Sequence, residues 1–149
     1  MNLNDAGKMI KKWYYELENK FPDIKCREMV VMPNHFHCII ENVTVGADPR
    51  VCPNTTTNPN PSLGEQSKPL GEHIGSPLHC VVQWFKTMTT NEYIRNVKSN
   101  NWKRFDGKLW QRNYWEHIIR NEKAYFNIAN YINKNPENWV TDTLHSIEN

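Results

Sequence analysis

The sequence predicts an α+β domain, and three observations predict it. Apolar residues recur at helical spacing near both ends of the chain, over 5–20 and 122–134. Two short apolar, β-branched runs, 25–32 and 35–41, follow the first of these and are separated only by Pro33-Asn34. A third run, Leu109 to Ile119, is dominated by aromatic and β-branched residues. A chain of 149 residues suffices for one domain with a modest core, so residues 1–149 read as a single unit. A content of 38% hydrophobic and 23% charged residues fits a globular protein rather than a disordered one. No run has the length of a membrane span and no apolar signal core opens the chain, so no membrane partner is expected.

Each element has its own signal. In the first helix Ala6, Met9, Ile10, Trp13 and Leu17 form one stripe. Asn4 or Asp5 can cap its start, and the Phe21-Pro22 step ends it, because a residue before proline avoids the α region. Pro33 has no amide proton and should sit where the strand ladder is broken, in a tight turn or bulge. Residues 43–78 hold six of the nine prolines and four of the six glycines, so they read as a long, flexible loop inserted in the domain. Leu78, Val81, Val82 and Phe85 restore helical spacing over 78–88. Thr89 and Glu92 fit a capping box, which predicts a separate short helix over 90–98. Asp106-Gly107 signals a turn before the 109–119 strand. Asn121 can cap the last helix, with Glu122 in its first turn, Ala124, Tyr125, Ile128 and Ile132 as its buried stripe, and Pro136 as its stop.

Charge and cysteine usage narrow the function. Between Lys86 and Lys123 nine basic residues face four acidic ones, a local +5 that leaves −3 for the rest of a chain of net charge +2. Trp102, Phe105, Trp110, Tyr114 and Trp115 interleave with these cations. That composition suits phosphate neutralisation with base stacking, or a solvated face over core aromatics. The four cysteines, Cys26, Cys38, Cys52 and Cys80, include no C-x-x-C pair, so they read as free thiols in a cytoplasmic protein.

The chemistry centres on His35-Phe36-His37. On a strand, alternate residues face alternate sides, so the two imidazoles point one way and Phe36 the other. A pair of imidazoles on one face is half of a metal site, or a pair of core histidines. Tyr131 and Asn135 lie four apart on the last helix and share a face. Tyr131, at the edge of the buried stripe, can rest its ring on the core and offer its hydroxyl to a site. Asn135 can supply a neutral oxygen ligand, or simply cap the helix before Pro136. Glu116 and His117 are adjacent on the expected strand, so they face opposite sides and do not form an acid–base pair.

Three blocks, in order, resemble the REP-associated tyrosine transposases of the single-tyrosine HUH superfamily. They are Pro33-Asn34-His35-Phe36-His37, then Trp110 through Asn121, then Tyr131-Ile132-Asn133-Lys134-Asn135-Pro136. The resemblance implies a ferredoxin-like antiparallel sheet with helices packed on it. It implies His35, His37 and Asn135 as ligands of Mg²⁺ or Mn²⁺ and Tyr131 as the catalytic nucleophile. Single-stranded, hairpin-flanked DNA would be cut and rejoined through a 5′-phosphotyrosine. An ordinary phenol, with pKa about 10, is a weak nucleophile at neutral pH, which is why a phosphate-polarising ion belongs to this chemistry. Lys86, Arg95, Lys103, Arg104, Arg112 and Arg120 are the candidate DNA-backbone contacts, and the resemblance allows a monomer or a homodimer. The family pattern places a strand before the first helix, and this chain starts without it. The alternative function is therefore a truncated remnant that binds hairpin DNA without cutting it. A zinc hydrolase built on His-x-His would need a third histidine or carboxylate at a persuasive spacing, and none is present.

Overall fold

The computed structural model describes residues 2–43 and 78–139. The inserted loop expected over 43–78 therefore lies, apart from its two end residues, outside the described residues. The described chain is α+β, with a two-stranded antiparallel sheet and three helices packed on it, consistent with a ferredoxin-like arrangement. The elements are α1 (Asp5–Lys20), β1 (Ile24–Val31), β2 (Phe36–Asn42), α2 (Leu78–Ser99) and α3 (Glu122–Lys134). Among the described residues no helix is long and apolar enough to cross a membrane.

Helix α1 starts where Asn4 Oδ1 accepts the Gly7 N–H at 2.8 Å, which satisfies one of the donors a helix start leaves open. It closes at Phe21, whose N–H bonds the Leu17 carbonyl at 2.8 Å while its backbone turns extended. Its inward stripe is centred on Tyr14 and Leu17, at 0% and 1% exposure. Tyr14 was outside the expected stripe. Its ring is apolar enough to fill the centre of the core, and its hydroxyl reaches the sheet, donating to the Ile39 carbonyl at 2.6 Å and approaching that of Arg27 at 3.1 Å.

That hydroxyl lies at an irregularity in the sheet. Cys26 pairs with Ile40 and Met29 with Cys38, so β1 spends one residue more than β2 over this stretch, as in a β-bulge. The extra residue inverts the alternation of β1. Ile24, Cys26 and Met29 pack on the α1–α2 side, while Glu28 and Val30 face α3. Strand β2 alternates without a break: Phe36, Cys38 and Ile40 toward α1 and α2, His37 and Ile39 toward α3. The hairpin turn at Pro33-Asn34 is closed by the Met32 N–H on the His35 carbonyl at 2.9 Å, so Pro33 stands in the break and no ladder bond is lost to it.

Two cores result. The larger joins Tyr14, Leu17, Phe21, Ile24, Val81 and Phe85, with Phe36 stacked on Phe85 at 5.4 Å. The smaller joins Ile39, Ala129 and Ile132 on the other sheet face. Helices α1 and α2 are tied by the Trp13 indole N–H, which donates to Glu92 at 2.6 Å.

Two expectations fail. The separate helices over 78–88 and 90–98 are one helix, α2. Thr89 does not cap: it is fully buried, and its hydroxyl bonds the Phe85 carbonyl one turn back at 2.8 Å, which lets it sit mid-helix without an orphaned polar group. Glu92, the other half of the expected capping box, is used by Trp13. The run 109–119 forms no strand, and the described sheet has two strands only. Its aromatics are held by side chains instead. The Trp110 N–H donates to Thr89 Oγ1 at 2.8 Å and its ring meets Phe85 at 5.6 Å, while Trp115 is 98% exposed. Strand propensity expresses itself only against a partner strand, and here the side chains found helices first.

The cysteines divide. Cys26 and Cys38 are free thiols as expected, both facing the larger core. Cys80 is disulfide-bonded, against the expectation, because spacing along the chain does not say which thiols meet in space.

Candidate active site

The site forms where the start of β2 meets the end of α3. The His35 and His37 rings lie 4.8 Å apart, centroid to centroid, at 71°. Tyr131 stands against His37 with centroids 5.6 Å apart and rings at 73°. Trp139, beyond the end of α3, approaches His35 at 5.9 Å. Asn135 falls one helical turn after Tyr131 and four residues before Trp139, bracketed by two residues that each touch one histidine.

Local structure explains each placement. The unbroken alternation of β2 turns His37 away from Phe36 and onto the α3 face. Helix α3 starts at Asn121, whose Oδ1 accepts the Ala124 N–H at 2.8 Å, and buries Ala129 and Ile132 on Ile39. That stripe leaves Tyr131 at its edge, 53% exposed and able to contact a ligand from solvent. The Tyr125 hydroxyl donates to Glu28 at 2.7 Å, a contact that fixes the rotation of α3 over the bulged strand and pushes the phenol pKa up.

Asn135 fills the capping role through its backbone and leaves its side chain buried beside it. Its backbone is the C-cap of α3, with its N–H on the Ile132 carbonyl at 3.4 Å. Its side chain is buried, 2% exposed, and its amide Nδ2 has no hydrogen-bond partner among the described residues. A buried amide is normally satisfied, and leaving one open costs about 1–3 kcal/mol. Half a turn of the amide brings Oδ1 to the same position, so the side chain can offer an oxygen to a cation.

The donor set suits a divalent metal. The Nε2 atoms of His35 and His37 are both buried. His35 Nδ1 lies 2.7 Å from Asn34 Oδ1, and with the amide oxygen accepting, Nδ1 holds the proton and Nε2 keeps its lone pair. Two imidazole nitrogens and one neutral amide oxygen make a mixed set of the kind that takes Mn²⁺ readily and Mg²⁺ with added water ligands. Among the described residues no third histidine, cysteine or carboxylate joins the pair.

Asn34 and Trp139 were not singled out from sequence. Asn34 read as a turn residue, and nothing in the chain says that a tryptophan after a helix stop returns to a histidine 104 positions earlier. A polar residue directly before a suspected ligand is the one signal that could have suggested Asn34.

The expected DNA contacts lie apart from this cluster. Lys86 is on α2, on the other side of the sheet, and its Nζ donates to the Gln111 carbonyl at 2.8 Å, tying the 109–114 segment to the helix. Arg95 is exposed near the end of α2, and Lys103 and Arg104 are exposed beyond it. Arg112 is exposed opposite Lys86, and Arg120 is exposed just before α3. Glu116 and His117 are both exposed in the irregular segment between.

Comparison with known proteins gives two relatives. An uncharacterised protein of Haemophilus influenzae is 36% identical over 146 residues, covering 97% of this chain and 72% of that protein. A second Haemophilus influenzae protein, provisionally named REP-associated tyrosine transposase, is 34% identical over 58 residues, covering 37% of this chain and 33% of its own length. No family model matches the chain, and no solved structure matches it.

Proposed function

This chain belongs to the same family as the 36% identical Haemophilus influenzae protein, and from that premise we propose that it nicks and rejoins single-stranded DNA as a tyrosine transposase. The observation that carries the reading is the contact of a half-exposed Tyr131 with His37, at 5.6 Å between centroids, beside the buried amide of Asn135. The 58-residue likeness to the provisionally named transposase supports the same reading from a separate direction.

In this mechanism Tyr131 Oη attacks the scissile phosphorus from the solvent side. A bond forms between Oη and phosphorus, and the bond from phosphorus to the 3′ oxygen breaks. The phenol proton passes to solvent, and the departing oxygen takes up a proton to become a 3′-hydroxyl. The product is a 5′-phosphotyrosine, still a phosphodiester, so a second 3′-hydroxyl can reverse the step without a further energy source. His35, His37 and Asn135 would hold Mg²⁺ or Mn²⁺, which when bound supplies charge stabilisation to the phosphate oxygens. Asn34, accepting from Nδ1, would hold the His35 ring in the tautomer protonated at Nδ1, and Trp139 stands against the ring on the side of the helix end. Burial of both Nε2 atoms keeps bulk water away from the donor set.

The test is a denaturing gel of the protein incubated with labelled hairpin-flanked single-stranded DNA and Mn²⁺. The expected result is a covalent adduct that Tyr131→Phe abolishes. An adduct that persists in that variant removes Tyr131 as nucleophile. A folded protein that binds the DNA and makes no adduct is a hairpin-binding module instead.

A further inference from the structure

A groove of about 730 Å³ runs along α2, between that helix and residues 105–114. It is not part of the Tyr131 site. The α2 residues that line it, Gln83, Thr87, Thr90 and Asn91 among them, lie on the face away from Val81, Phe85 and Thr89, which are buried against the sheet and Trp110. Tyr131 stands on the opposite face of the sheet.

Three features say what the groove takes. Its charge is of one sign: Lys86, Lys108 and Arg112 line it, and no aspartate or glutamate does among the described lining residues. Lys86 is held in place rather than left to swing. Its Nζ donates to the Gln111 and Arg112 carbonyls at 2.8 and 3.4 Å and sits 5.3 Å over the Tyr114 ring. Burial lowers its pKa, and it makes no salt bridge among the described residues, so a fixed, partly desolvated cation lacks a counter-charge. Finally, Phe105, Trp110 and Tyr114 bring ring surface to the same groove, with the amides of Gln83, Asn91 and Gln111 beside them. Rings with adjacent amides recognise a flat heterocycle with polar edges, and cations recognise the phosphate attached to it.

We infer that this groove is a second nucleic-acid site, which takes an unpaired nucleotide of single-stranded DNA with its base against Tyr114 and its phosphates on Lys108 and Arg112. The inference rests on the proposed function for its choice of DNA as ligand. The groove would hold a single-stranded segment away from the scissile phosphate, so that Tyr131 receives a strand already anchored at a distance. Its volume lies within the range of small-ligand pockets and exceeds what one inorganic phosphate fills.

The experiment is fluorescence anisotropy with a short labelled single-stranded oligonucleotide, run at several salt concentrations, alongside an oligonucleotide abasic at every position. Lys108→Ala with Arg112→Ala is expected to weaken binding at least tenfold and to lower the log–log salt slope by about 2, one for each cation lost. Tyr114→Ala is expected to weaken binding of the normal oligonucleotide about tenfold and to leave the abasic one unchanged. Melting curves of the free variants should match the parent, because all three side chains are exposed. Unchanged affinity and slope in the double variant would overturn the site. Equal losses for normal and abasic DNA in Tyr114→Ala would overturn the base-binding part and leave a phosphate site. Tyr131→Phe separates the two readings: groove-dependent binding should survive in it, whereas the covalent adduct should not.

Discussion

Asn135→Ala should produce a protein that is more stable than its parent without metal and less stable with it. The parent buries an amide at 2% exposure whose Nδ2 lacks a hydrogen bond among the described residues, at a cost of about 1–3 kcal/mol. Alanine removes that cost and leaves a cavity of roughly 25 Å³, worth about 0.6 kcal/mol at about 24 cal/mol per Å³. The C-cap bond to Ile132 uses the backbone N–H and is retained. The net expectation without metal is a gain of about 0.4–2.4 kcal/mol, or roughly 1–10 °C in melting temperature for a chain of this size. Metal reverses the order. At 100 times its dissociation constant, Mn²⁺ stabilises the parent by about 2.7 kcal/mol, and a variant lacking one ligand loses most of that gain. Calorimetric or fluorescence melts in EDTA and across a Mn²⁺ series should therefore show two curves that cross. A variant less stable than the parent by more than about 1 kcal/mol in EDTA would show that the amide serves the fold. Equal gains from Mn²⁺ in both proteins would show that Asn135 is not a ligand.

Three further outcomes follow from the same structure. Tyr14→Phe removes the hydroxyl bonded to the Ile39 carbonyl at 2.6 Å and should cost about 1–3 kcal/mol in urea unfolding; a loss below about 0.3 kcal/mol would mean that solvent or the ladder satisfies that carbonyl. Asn34→Ala frees the His35 ring to take either tautomer and should weaken Mn²⁺ binding about 10- to 100-fold by titration calorimetry, with Asn34→Asp restoring it; equal affinities in all three proteins would remove Asn34 from the metal's support. Burial pushes the Cys38 thiol up to about 12 and the Cys26 thiol up to about 11, from 9.0 in the unfolded chain. Because the folded state holds these protons more tightly, their contribution to stability is whole below pH 9.0 and is lost as pH rises toward 11–12. Urea midpoints between pH 8 and 11 should fall accordingly, and Cys38→Ala should flatten the fall; a midpoint that rises with pH contradicts the burial of these thiols.

Much of the frame is legible in the chain because it rests on local signals. Asn4 and Asn121 are caps whose side chains bond an N–H three residues on, so each helix start depends on a few neighbouring residues. Proline stops work the same way at Pro22 and Pro136. The face taken by His37 follows from the unbroken alternation of β2, whereas His35 lies one residue before that strand, in the turn closed by the Met32 N–H, and its ring meets His37 there. The misreadings occur where a residue's partner is distant. Thr89 and Glu92 have the spacing of a capping box, yet Thr89 is engaged by Trp110 and Glu92 by Trp13, and both partnerships exist only after α1, α2 and the 109–114 segment have packed. Leu109 to Ile119 has strand composition without a strand partner, so composition alone could not decide its state.

The amino-acid sequence by itself determined α1, the β1–β2 hairpin, α3, the histidine pair, and the one-turn spacing of Tyr131 and Asn135, because each depends on signals within a few residues. Tertiary structure alone decided that His35, His37 and Tyr131 come to one place, through Ala129 and Ile132 packing on Ile39. It alone added Asn34 and Trp139 around His35, buried Tyr14 at the bulge, and gathered Lys86, Lys108 and Arg112 along one groove. Those outcomes depend on which apolar faces find each other in space, and burial is a property of the packed chain rather than of any segment of it.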